Sequence, residues 1–262
     1  MTKQTPNPSI AMVWFFVVTT IYFYIRSKRI VGKSLLVGVY TTLVVVGELA
    51  INIGLTKTMC GSEQISTAII ATVIPWVIIF ATLTVLLGIF PGWLRPFSNT
   101  FGYLLTYTGV TKTLNKLVKG KNESKSKTIS DDMKNVQKTL ATIYNDQSLL
   151  VNELTTTNFE YLWKEMLTPL FREDVKGRPI ETELKKKLLG HITTKEGIAE
   201  YIWYILTGGL VTAASYNYIV NTNCTHSLSE MNARTTNYKK AMKEKAERLE
   251  KEKTIEYTND GS

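Results

Sequence analysis

Three apolar stretches in the first 90 residues leave this chain little choice of environment. Residues 9–25 (SIAMVWFFVVTTIYFYI) carry no charge, residues 34–55 are interrupted only by Glu48 and Asn52, and residues 65–90 hold Pro75 inside an otherwise apolar run. A helix rises about 1.5 Å per residue, so stretches of this length match a hydrocarbon core roughly 30 Å thick. The same 90 residues hold six basic and two acidic side chains, most of them clustered between the stretches. A water-soluble domain would not tolerate that partition, and the expectation is an all-α integral membrane protein. Residues 9–25 read as a retained span and not a cleaved leader, because Lys3 is the one cation before them and no small-residue cleavage site follows.

A fourth apolar stretch, residues 198–220, lies more than a hundred residues further on. Thr193-Thr194-Lys195-Glu196 precedes it and predicts a capping box at the start of that helix. Orientation follows from the short loops. The first holds Arg26, Lys28, Arg29 and Lys33, the second only Lys57 and Glu63. The positive-inside rule therefore assigns the first loop, and with it the whole of residues 91–197, to the cytosol. Both termini fall on the opposite face.

Residues 91–130 divide into a turn, an amphipathic helix and a basic linker. Pro91-Gly92-Trp93-Leu94-Arg95-Pro96-Phe97 must turn, with Trp93 suited to the headgroup layer, Arg95 to phosphates and Ser98-Asn99-Thr100 to a helix N-cap. Apolar positions then recur at Tyr103, Tyr107, Val110, Leu114 and Leu117, with Lys112, Lys116 and Lys119 mostly off that stripe. The pattern fits a helix lying in the membrane interface and equally one packed on a cytosolic domain. Six lysines between residues 112 and 127 can be drawn to anionic lipid or simply solvate a linker. They are not interleaved with exposed aromatics, which argues against nucleic acid.

Residues 131–197 read as a small helical domain, with stripes at Met133, Val136, Leu140 and Ile143, and at Phe159, Leu162, Trp163, Met166, Leu167, Leu170 and Phe171. Gly177-Arg178-Pro179 breaks the chain before a short helix carrying Leu184, Leu188 and Leu189. About 60 residues make a marginal core, so the membrane surface or a partner is expected to complete it, with Trp163 as core first and interface second. Residues 221–262 form a charged tail, helical from Ser227 with Glu244–Arg248 and Glu247–Lys251 pairs, and disordered from residue 254.

Two clusters invite chemistry. Glu48 is an acid inside a span, Asn52 sits one turn on, and Asn217 lies at a similar depth in the fourth span. An interhelical polar clamp is the favoured reading, helped by Gly209 and Ala213 as a close-approach face. A transporter or channel using Glu48 and the Pro75 kink is the alternative. Cys60 and Cys224 are assigned to the same non-cytosolic face, so a disulfide between them is feasible. A metal held by Cys60, Cys224 and His226 would lack its fourth ligand. His191 and His226 fall on opposite sides, and no phosphate loop, nucleophile elbow, HExxH or CxxC occurs. No enzymatic activity and no cofactor are expected.

Pro91-Gly92-Trp93 followed by Pro96-Phe97-Ser98-Asn99-Thr100-Phe101-Gly102-Tyr103 resembles a motif of multi-pass inner-membrane and minor capsid proteins of large eukaryotic (nucleocytoplasmic) DNA viruses. So does Tyr144-Asn145-Asp146-Gln147-Ser148-Leu149-Leu150-Val151-Asn152-Glu153 and, more loosely, the fourth span from Trp203 to Cys224. The resemblance implies a structural role in the inner membrane of a virion, assembled on an ER-derived host membrane beneath an icosahedral capsid. Minor capsid proteins, the bilayer and other copies of the chain are the implied partners. A membrane scaffold or lipid-binding adaptor shares every physical feature with that reading. Trp93, Arg95, Phe97, Tyr103, Lys112, Lys116, Lys119 and Trp163 are the residues expected at the membrane surface or partner contact.

Overall fold

The computed structural model describes residues 9–28, 32–118, 147–225 and 228–259. The linker lysines from Lys119 on and the Met133–Ile143 stripe lie outside the described residues. All regular elements described are helical, with one isolated antiparallel bridge between Val118 and Phe171. Helix α1 is Ser9–Lys28, α2 is Lys33–Cys60, and α3 runs over Ile65–Ile89. These three, among the described residues, are long and apolar enough to cross a membrane.

Pro75 sits inside α3. Its ring has no N–H to offer the carbonyl four residues back, and a π-helical turn, Trp76–Ala81, follows before regular helix resumes at Thr82. The carbonyl left over is that of Ala71, and Ser215 donates its hydroxyl to it from another helix. A local defect in one helix is thus closed by its neighbour.

After α3 the chain turns through Pro91–Leu94 and Arg95–Phe97 into a second π turn, Ser98–Gly102. The N-cap expected at Ser98-Asn99-Thr100 is not formed. Thr100 instead donates back to the Pro96 carbonyl at 2.6 Å, and the turn runs without interruption into α4, Tyr103–Leu117. Short helices α5 (Gln147–Glu153) and α6 (Phe159–Leu162, prolonged by a π turn Trp163–Leu167) complete the ring of elements around one core. Val110, Leu114, Leu117, Leu150, Val151, Phe159, Trp163, Leu167 and Phe171 fill it. Helix α4 therefore packs on the helical domain as a wall of the core, and the two together form a headpiece. The first turns of α4 still present Leu104 and Leu105 outward at 73% and 70% exposure.

The largest departure from the sequence reading is α7, which runs unbroken from Pro179 to Asn221 over 43 residues, about 65 Å. No cap divides it at residues 193–196. Thr193 and Thr194 turn their hydroxyls back onto the carbonyls of Leu189 and Gly190 in the preceding turn, so they stay in the helix instead of starting one. Leu184, Leu188 and Ile192 at one end belong to the headpiece core, and Val211 at the other belongs to a core shared with Phe15, Tyr22, Tyr40, Trp76 and Phe80. The close approach expected at Gly209 and Ala213 falls one residue earlier. A Cβ on Gly208 would collide with the Phe15 ring, whereas one on Gly209 would meet nothing within 4 Å. Helix α8, Leu228–Asn259, is a charged helix, exposed over residues 231–252, and continues past residue 254, where disorder was expected.

Candidate functional site

Three polar centres lie along the bundle of α1, α2, α3 and the second half of α7. The innermost joins three helices. Asn52 donates to Thr72 at 2.8 Å and to Ser215 at 3.3 Å, Thr72 donates to the Ala68 carbonyl, and Thr212 donates to Glu48 at 3.3 Å. Glu48, Asn52, Thr72, Thr212 and Ser215 are all buried. This is an interhelical clamp with a different third member from the one expected: Asn217 is exposed and takes no part, and Thr212 and Ser215 supply the α7 side. The arrangement ties helices together.

At one end of the bundle Cys60 and Cys224 are joined by a disulfide, with Cα atoms 5.5 Å apart. It fastens the end of α2 to the end of α7. Gln64 adds two bonds to Thr225, at 2.7 Å each, one to its carbonyl and one from its hydroxyl. Arg234 of α8 donates to the Cys60 carbonyl at 3.1 Å beside Gly61, whose positive φ of 69° ends α2.

The opposite end, where bundle meets headpiece, brings charged and aromatic groups together. Arg26 of α1 forms a two-pronged bond with Glu200 of α7, at 2.7 and 2.8 Å. Trp93 stacks 5.9 Å from Phe90 and lies tilted 5.9 Å from Trp203, and Phe97 and Trp203 meet edge to face at 6.2 Å. Such a girdle of indoles suits the headgroup layer. Arg95 reaches Glu153 at 3.7 Å, a long and exposed pair that contributes little. Lys195 joins this end without any motif in the sequence to mark it. It is 1% exposed and donates to the carbonyls of Val151 and Leu154 at 2.7 and 3.0 Å. It thus caps the end of α5 from another helix and fixes the headpiece to α7. Burial, more than any neighbouring charge, pushes its ammonium down to about 8. His191 nearby is also lowered by burial.

The residues expected to face membrane or partner separate into two sets. Trp93, Arg95 and Phe97 gather at the junction with Trp203. Lys112 and Lys116 are exposed on the headpiece, and Tyr103 packs partly against its core. Trp163, expected as core first and interface second, is in the core at 4% exposure, with Phe171 at 4.8 Å and Phe159 at 5.7 Å. Lys119 lies outside the described residues. No protein-family profile matches this chain, and no curated protein or solved structure is similar to it.

Proposed function

We propose that α7 makes a fourth membrane crossing and that the protein is a structural anchor holding a protein shell to a bilayer. The observation that carries this reading is the unbroken α7, which belongs to the headpiece core at one end and to the intramembrane core at the other. A force on the headpiece passes into the spans without a flexible joint. The polar clamp and the disulfide brace the spans that receive it.

The charge and thiol chemistry favour a headpiece in the cytosol. Arg26 and Lys28 lie at the headpiece end, while the disulfide sits at the other end, as an oxidising lumen would require. In the viral reading that the sequence resemblance implies, the membrane is the inner membrane of the virion, derived from host endomembrane, and the shell is met through minor capsid proteins. Exposed Lys112, Lys116 and Lys164 are the headpiece groups that reach such a partner. Amine crosslinking of intact particles, read by mass spectrometry, tests this. Links from these lysines to shell proteins are expected, and shell links made only by α8 lysines would overturn it.

A further inference from the structure

The outer face of α4 changes character along its length. Leu104, Leu105, Thr108, Lys112, Asn115 and Lys116 share one exposed side of the helix, and Phe101 stands exposed one turn before them. The first half of that side is apolar, and the second half is polar and basic. Val110, Leu114 and Leu117 on the other side are committed to the headpiece core, so packing within the chain leaves the apolar half uncovered. Neighbouring apolar side chains exposed together mark a contact surface.

This patch continues the apolar surface of α3. Ile89 and Phe90 close that helix with exposed side chains. Phe90 stacks on Trp93, and Trp203 links Trp93 to Phe97. Phe101 follows Phe97 by one turn, and Leu104 and Leu105 follow Phe101 by another. An apolar track thus leaves the end of α3, passes through the girdle and stops before Lys112.

Its depth is set by α7. Arg26 ends the uncharged run of α1 and pairs with Glu200, the last charge on α7 before its apolar half. Toward the headpiece, Gly102 is packed on the Lys195 carbonyl and Gly109 on the His191 ring. At 1.5 Å per residue these two points lie about 7.5 and 13.5 Å past Glu200 along α7. The headgroup layer adds roughly 5–7 Å to each side of the hydrocarbon. Side chains on a helix lean toward its N-terminus, here the membrane end. Leu104 and Leu105 therefore reach back into that layer, while Lys112 and Lys116 clear it.

We propose that the first turns of α4 stand in the headgroup layer of the bilayer that α3 enters, with Phe101, Leu104 and Leu105 against lipid. The headpiece is then seated on the membrane and not held above it. The stripe expected to lie in the interface is the one that α4 turns to the headpiece core, and the lipid contact falls on the opposite face. A change from apolar to basic along the helix, and not around it, suits a helix that rises through the interface instead of lying in it. Lys112 and Lys116 stay in water, where a shell protein can reach them. The depth scale rests on α7 being a crossing; the apolar track does not.

The test introduces one cysteine at a time, Leu104→Cys, Leu105→Cys or Lys116→Cys, into the full chain with its disulfide oxidised and one copy in each lipid nanodisc. All three positions are exposed, so the fold tolerates the exchange. A thiol in the headgroup layer has a raised pKa, and one unit slows its reaction with a membrane-impermeant maleimide about tenfold at neutral pH. Leu104→Cys and Leu105→Cys should therefore react about tenfold more slowly than Lys116→Cys. A fluorophore attached at Leu105→Cys should be quenched by a nitroxide on the phosphatidylcholine headgroup. Equal rates, or quenching no stronger there than at Lys116→Cys, overturn the proposal. Slow reaction that appears only with two copies in a disc assigns the patch to a second copy and overturns lipid as its occupant. Protease added to sealed vesicles separates the two readings. Cleavage of the loop at residues 155–158 from the side that holds the disulfide would overturn the fourth crossing, and the thiol rates would still decide the contact with lipid.

Discussion

Replacing Lys195 by Met removes one charge and two donors at the point where the headpiece grips α7. Methionine keeps most of the volume, so packing is a small part of the change. Hydrogen bonds from a charged donor contribute about 1.5–3 kcal/mol each, and the carbonyls of Val151 and Leu154 would lose theirs in a buried setting. Against this stands relief from burying an ammonium, which is the main cause of its lowered pKa of about 8. The two effects leave a net loss of about 2–4 kcal/mol at neutral pH.

The same lysine gives the experiment a pH arm. In the unfolded chain its pKa is 10.5, and in the folded chain about 8. Between those values the unfolded state binds more protons, so folded stability rises as pH climbs from about 8 toward 10.5. Below pH 8 both states are protonated and this contribution is flat. Across the whole window the gain is of order 3 kcal/mol, at about 1.36 kcal/mol per pH unit of separation. Lys195→Met lacks it. The gap between the native chain and the variant should therefore widen over pH 8–9.5, while ionisation of other lysines and tyrosines affects both alike. Resistance of the headpiece to subtilisin in lipid nanodiscs reads this, since the protease works throughout that range. A gap that stays constant from pH 7.5 to 9.5 would refute the account of a buried ammonium capping α5.

Three further changes probe other parts of the bundle. Glu200→Gln should cost about 1–2 kcal/mol of thermal stability, because the Arg26–Glu200 pair is less than one-third exposed and two-pronged. A double-mutant cycle with Arg26→Gln should return a coupling above about 1 kcal/mol, and a coupling near zero would make the pair ornamental. Gly208→Leu should cost about 3 kcal/mol or more by driving a side chain into Phe15, whereas Gly209→Ala stays within about 0.5 kcal/mol; equal losses in a detergent melting assay would contradict the packing. Cys60→Ser should lower stability by at most about 5 kcal/mol, the loop-closure value for a separation of 164 residues. Thiol labelling before and after reduction checks it: labelling of either cysteine without reductant would exclude the bond.

Depth along the membrane was legible in this sequence, and direction around each helix was not. The apolar stretches give the spans because the length of a hydrophobic run is a one-dimensional quantity, and α1, α2 and α3 follow them closely. The polar clamp shows where that stops. Glu48 and Asn52 are legible because they stand one turn apart on an apolar helix. Asn217 shares only their depth, and it points about 200° away from Ser215 around the axis of α7, toward the outside. Gly208 and Gly209 differ by about 100° for the same reason, and the same number of residues from the helix end cannot choose between them. The division of α7 at residues 193–196 failed differently, because Thr in a cap and Thr bonded back to its own helix are the same letters. The helical spacing of Leu184, Leu188, Ile192, Lys195 and Ala199, unbroken across residues 193–196, is the signal in the sequence that the helix continues. One rule could have supplied direction as well. Pro75 frees the carbonyl four residues earlier, and a hydroxyl from a neighbouring helix is one of the few groups that can serve it; Ser215 does, and with it the buried face of α7 is set.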